Sequence, residues 1–205
     1  MKSYRSLLAG VVLAAVLSGC AMPKFHSVAP VQTLPAPAAD RAQIVFINPG
    51  QAIHDGLPTT LYEIKAGQRE FLGVSAAKTR LVHEVAPGRH RFMSQGMLAP
   101  AHFLDAEVEA GKRYYVLLRF VYGNGRQLRP LRNQGDSDYN FNNPKFEVWK
   151  RESVVVLRNA DADNFYRANE GAIAKAQAAG EAIWNGKNAE QKAQLTLNRE
   201  DSTER

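Results

Sequence analysis

Cysteine is nearly missing from this chain: Cys20 is the only one in 205 residues. An intrachain disulfide and a multi-cysteine metal site are therefore excluded, and a folded domain has to rest on burial. Long apolar runs are missing too. The one near the start, Leu7 to Leu17, supplies about half of the roughly 20 residues that span a bilayer, which argues against a retained transmembrane helix. Familiar catalytic patterns are absent: there is no Gly-x-Ser-x-Gly, no Gly-x-x-x-x-Gly-Lys-Ser/Thr and no His-Glu-x-x-His. His83-Glu84 begins the last of these, but Pro87 stands where its second His belongs. No nucleophile, base and orienting group can be named together, so the chain reads as non-enzymatic, with no cofactor and no metal.

What is present begins at the amino end. Lys2 and Arg5 precede the apolar run, which closes on Leu17-Ser18-Gly19-Cys20. A basic opening, a short apolar segment and small residues at the cut mark an export signal. With a cysteine just after the cut, the stretch resembles the lipobox of bacterial lipoproteins. That resemblance implies a signal peptide over 1–19 and a mature chain starting at Cys20, which carries a thioether-linked diacylglycerol and an acylated (palmitate-type) amino group. Two or more acyl chains anchor stably. Ala21, where Asp would favour inner-membrane retention, implies an outer-membrane protein facing the periplasm. A membrane is thus one expected partner, and nucleic acid is not expected.

Charge and composition set further bounds. The 26 Lys and Arg against 20 Asp and Glu give +6, and loss of Lys2 and Arg5 leaves +4 on the mature part. A mildly basic surface suits anionic lipids, lipopolysaccharide or cell-wall polymers. Apolar residues at 45% permit a real core.

Residues 20–41 hold Pro23, Pro30, Pro35 and Pro37 among small residues and read as an extended Pro/Ala-rich tether. From Ala42 the pattern turns to strands, and 42–158 reads as one β-domain. Ile44 to Ile47 is a buried first strand, and Thr59–Lys65 with Glu70–Val74 makes a hairpin around Ala66-Gly67. Thr79–Val85 and His90–Gln95 flank Ala86-Pro87-Gly88-Arg89, a second expected hairpin, whose register would set Glu84 opposite Arg91 and His83 opposite Phe92. Phe103 to Ala110 alternates, with Leu104, Ala106 and Val108 expected inward. Tyr114–Tyr122 is apolar on both faces and reads as central, and Asn124-Gly125 turns it into Gln127–Arg132. The fold class expected is mainly β, an antiparallel β-sandwich (prealbumin-like) with a C-terminal α-helix.

Val82 to Gln95, with its Ala86-Pro87-Gly88-Arg89-His90 turn, followed by Ala110-Gly111-Lys112-Arg113-Tyr114-Tyr115-Val116, resembles the uncharacterised lipoproteins of the domain of unknown function 2846 family. Their pattern is a Pro-Pro-Gly-x-His turn and then Ala-Gly-Lys-Thr-Tyr-Tyr-Val; here Ala86 and Arg113 depart from it. The resemblance covers about residues 42–122. It implies a small exported β-sandwich and no activity.

Gly135 to Pro144 is a polar loop carrying Tyr139 and Phe141, and Ser153–Leu157 favours a last strand. Residues 159–205 read as a helix and charged tail. Phe165, Ala168, Ala172, Ile173, Ala176, Ala179 and Ile183 fall at helical spacing, with Asp161 or Asp163 as N-cap and Gly186 at the end. Asp161-x-Asp163-Asn164 lacks the Gly and Glu of a calcium loop, and a helix cap is the better account.

Among the five histidines, His83 and His90 are the only pair on one predicted hairpin, and ring packing is favoured over a metal pair. Two groups of residues suit a ligand. Arg126, Arg129 and Arg132, with Arg119, surround the Asn124-Gly125 turn, and guanidinium forks suit phosphates and carboxylates. Tyr139, Phe141 and Trp149 suit a sugar platform. The reading is a non-enzymatic, membrane-anchored envelope lipoprotein with a structural or adaptor role. The alternative is a binding module for an anionic envelope glycan or lipid such as peptidoglycan or lipopolysaccharide.

Overall fold

The computed structural model describes residues 25–50, 58–96, 99–135 and 138–203. The expected signal peptide, Cys20, His54, and Asp136 and Ser137 of the polar loop lie outside the described residues. The fold is mainly β: two mixed sheets with a C-terminal helix. One sheet holds β1 (His26–Val28), β10 (Val154–Arg158), β5 (Thr79–Val85), β2 (Ala42–Asn48), β8 (Arg113–Val121) and β9 (Gly125–Pro130), in that spatial order. The other runs β11 (Thr196–Leu197), β7 (His102–Val108), β6 (Gly88–Gly96), β3 (Thr59–Lys65), β4 (Gln68–Ser75).

β2 shows why the layers stack. All seven of its residues are buried, as a strand apolar on both faces requires. Ile44 and Phe46 enter a core shared with Leu61, Phe92 and Leu104 of the other sheet, where the Phe46 and Phe92 rings meet edge to face at 5.3 Å. Val45 and Ile47 point the other way, under Phe146 of α1 (Pro144–Glu152). On the far side α2 (Ala160–Asn185) lays Ile173 and Trp184 over Tyr62, Met93 and Phe103. The fit is close at Gly180, where an added Cβ would sit 2.2 Å from the Ala101 carbonyl oxygen. Among the described residues no helix is long and apolar enough to cross a membrane.

Several expectations change. The sheets are not purely antiparallel: β10 with β5, β2 with β8 and β11 with β7 run parallel. The expected hairpin at Ala86-Pro87 is a link between sheets. β5 has both edges filled, by β2 and β10, so β6 crosses over to pair with β3 and β7. Glu84 then lies opposite Gln43 and His83 opposite Ile44, while Arg91 ion-pairs with Asp105 of β7 at 2.6 Å.

The tether expected over 20–41 is body structure from residue 25 on. β1 pairs with β10, Ala29 is buried, and Leu34 packs on the Val45–Phe146 cluster. α1 was not expected; Asn143 caps it, accepting from Lys145 N at 3.0 Å. α2 is capped by Asn159, whose side chain accepts from Ala162 N at 3.0 Å, and Asp163 instead ion-pairs with Arg158 at 2.8 Å. The buried stripe of α2 is turned by about one residue from the expected one: Gln177, Gly180 and Trp184 face inward, and Ala168, Ala172, Ala179 and Ile183 face solvent. The β3–β4 and β8–β9 hairpins and the inward set Leu104, Ala106 and Val108 stand where the sequence put them.

Candidate functional site

Tyr139 organises the candidate site. After β9 the chain folds back on itself: Arg132 N donates to Tyr139 O at 2.8 Å, and Phe141 N donates to Arg132 O at 3.0 Å. The buried Asn140 side chain donates to Gly135 O at 2.7 Å, closing the loop. The ring of Tyr139 is thereby held beside two guanidinium groups, with Arg129 at 4.5 Å from its centroid and Arg119 at 5.8 Å. Both are within the range of a cation–π contact.

Tyr139 lines a cleft of about 440 Å³ with Arg119, Arg126, Lys145 and Trp149, and with Asp138 as its acid. Tyr139 and Asp138 also line a hollow of about 420 Å³ with Arg129 and Arg132. Burial pulls the Arg129 guanidinium below its ordinary pKa, and the cations of Arg119 and Arg132 add to that. Its Nε is buried with no hydrogen-bond partner among the described residues. Such a concentration of cations around one aromatic ring suits an anion carried on an apolar or sugar face.

The residues named from sequence do not all share this role. Arg126 is almost fully buried and lies 5.8 Å from the Phe120 ring. Arg132 is tied into the fold, its Nη1 2.5 Å from Asp201 and its Nη2 donating to Ala193 O at 2.8 Å. Phe141 belongs to the interior, with ring contacts to Phe146 at 5.1 Å and Tyr115 at 6.1 Å. Tyr139 and Trp149 line one cleft, whose lining does not include Phe141. Lys145 was missed; only its place in the first turn of α1 brings it there.

A second polar cluster was half seen. His83 and His90 are brought together, and the group that joins them is Glu63 of β3, whose side chain is 1% exposed. His83 Nε2 donates to one carboxylate oxygen at 2.8 Å and His90 Nδ1 to the other at 2.7 Å. Lys65 Nζ lies 3.1 Å away. The second nitrogen of His90 faces the Ala86 carbonyl at 2.8 Å. Both partners of that ring only accept, so both nitrogens carry protons and His90 is an imidazolium.

Its pKa is raised, by the Glu63 hydrogen bond against the opposing effect of burial. At Glu63 burial pushes the carboxyl up, but the bonds from His83, His90 and Lys65 outweigh it and hold it well below the usual carboxylate range. The rings also flank Phe92, at 6.3 and 6.2 Å. Among the described residues no group of three or more His, Cys, Asp or Glu is arranged to hold a metal ion.

A cleft of about 760 Å³ adjoins this cluster; beside it Arg91 pairs with Asp105 at 2.6 Å and Glu107 with Arg199 at 2.6 Å. The signal that could have found Glu63 was a lone acid in a β-branched, aromatic strand, but without the strand order nothing tied it to the histidines. No family model matches the chain, and no curated protein matches it.

Proposed function

We propose that this chain is a lipid-anchored envelope protein, held at the outer membrane through Cys20 and working by attachment and not by catalysis, and that what it attaches to is an anionic envelope glycan of the peptidoglycan kind. The observation that carries the second half is the cleft where Arg119 and Lys145 meet Tyr139 and Trp149, with Asp138 as its acid. Cations beside exposed ring faces recognise a carboxylated or phosphorylated sugar by charge and by stacking together. The anchor half rests on Leu17-Ser18-Gly19-Cys20. This reading treats the two mixed sheets as a prealbumin-like sandwich; core residues shared between them, Phe46 against Phe92 among them, support it. The likeness to the uncharacterised lipoprotein family belongs to the same proposal.

Retention on purified peptidoglycan tests it. Arg119→Ala with Tyr139→Ala should lower retention roughly tenfold, as loss of a cation–π and an ionic contact together predicts. Wild-type retention should weaken as salt is raised. Unchanged retention in the double variant would sink the glycan reading and leave the adaptor role to a protein partner.

A further inference from the structure

If Cys20 carries the anchor, the structure restricts how far the domain can stand from its membrane. Residues from Phe25 on are pinned to the body. Phe25 packs on Phe165 with ring centroids 4.9 Å apart, β1 pairs along β10, and Ala29 N donates to Val155 O at 2.8 Å. The Gln32 side chain accepts from Val155 N at 2.7 Å and donates to Ala29 O at 2.7 Å. Only five chain steps separate Cys20 from Phe25. Fully extended at about 3.6 Å each, they reach at most about 18 Å.

The edge where the chain emerges exposes four large apolar side chains, with Ser27 and Arg158 among them. Val28 is 60% exposed, Val31 65%, Leu157 52% and Val154 39%, all on β1, on β10 or just after β1. Val28 lies opposite Val156 and shares its face, whereas Leu157, one residue on, points to the other face. A flat protein partner would cover one face of this edge. A fluid headgroup layer covers both, and with only three residues β1 offers little ladder to a partner strand.

We propose that the β1–β10 edge lies against the bilayer that holds Cys20, with Val28, Val31 and Leu157 in the headgroup layer. The proposal rests on the lipid-anchor reading. It makes the domain a membrane-lying body, oriented by its own edge. Tyr122, 86% exposed in the β8–β9 turn, stands four strands from β1 in the sheet order, about 19 Å at the usual strand spacing.

Full-length lipidated protein reconstituted into phosphatidylethanolamine–phosphatidylglycerol vesicles tests this. The lipidated cysteine leaves an introduced thiol as the one free site, so an environment-sensitive fluorophore is placed at Val31→Cys, Leu157→Cys or Tyr122→Cys. Headgroup-labelled nitroxide lipid should quench the first two at least roughly twofold more than the third, as shallow insertion requires. Equal quenching at all three positions, or none at any, in protein that floats with the vesicles would overturn the docking and leave the anchor intact. Protein that does not float overturns the anchor, and the docking with it.

Discussion

Glu63 and Tyr139 each gather basic side chains around them, one in the core and one at the surface. Around Glu63 the charges are matched: a carboxylate 1% exposed takes bonds from His83, His90 and Lys65. Around Tyr139 cations outnumber acids, since Arg119, Arg129 and Lys145 line the two hollows with Asp138. A buried charge has to find its partners within the fold, because desolvation is costly and water cannot replace a lost partner. A surface cluster can leave its charge to solvent or to a ligand. The difference separates a fastener from a candidate site: β3 carries the acid, and β5 and β6 bring one histidine each from the two sheets.

The largest effect should come from breaking the buried cluster. Glu63→Ala leaves the half-buried His83 and His90 without their carboxylate, while exposed Lys65 keeps Glu70, and should cost about 3 kcal/mol of unfolding free energy in a urea titration. A loss below about 1 kcal/mol, the range of an exposed pair, would mean that the cluster is surface-like and the contrast false. Next comes Arg132→Ala, which tests whether that arginine belongs to the fold and not to the ligand. Asp201, 4% exposed, would lose its guanidinium and keep its bond from Asn198 N. About 2 kcal/mol of stability should go, and retention on peptidoglycan should hold. Retention lost with stability unchanged would move Arg132 into the site.

The smallest effect is in the pH profile. Glu63, lowered in the native state, contributes stability that is present above its unfolded value of about 4.3 and fades as pH falls through the native one. His90, raised in the native state, contributes stability that is complete below its unfolded value of about 6.5 and fades as pH rises through the native one. The wild type should therefore gain stability over Glu63→Gln chiefly between about pH 4.3 and 6.5. Parallel pH profiles of the two proteins would remove the cluster's charge from the account.

Much of the local structure was legible. Ile44-Val45-Phe46-Ile47, the Asn124-Gly125 turn and the alternation of Leu104, Ala106 and Val108 each specify a conformation from neighbours in sequence. The helix after Asn159 was legible as a period, but its phase slipped by about one residue, because alanines satisfy the period on either side and only Gly180 against Ala101 and Trp184 against Phe103 choose. The candidate site was legible as two separate groups, the arginines of one hairpin and the rings of one loop. What joins them is the fold-back of residues 132–141, whose hydrogen bonds link Arg132 to Tyr139 and Phe141.

The sequence by itself determined most strands between residues 42 and 158, the turns at Ala66-Gly67 and Asn124-Gly125, the single cysteine, and the supply of cations around Asn124-Gly125. Those follow from contacts of short range, a period of two or a turn of four residues. Tertiary structure decided which sheet each strand joins, and with it the crossing at Pro87, the binding of residues 25–41 to the body and the meeting of Glu63 with His83 and His90. The physical reason is that a strand has two edges and two faces, and the same alternation suits any partner with apolar residues in register. Only the competition of all strands for those edges, as when β2 and β10 fill both sides of β5, fixes which side chains meet.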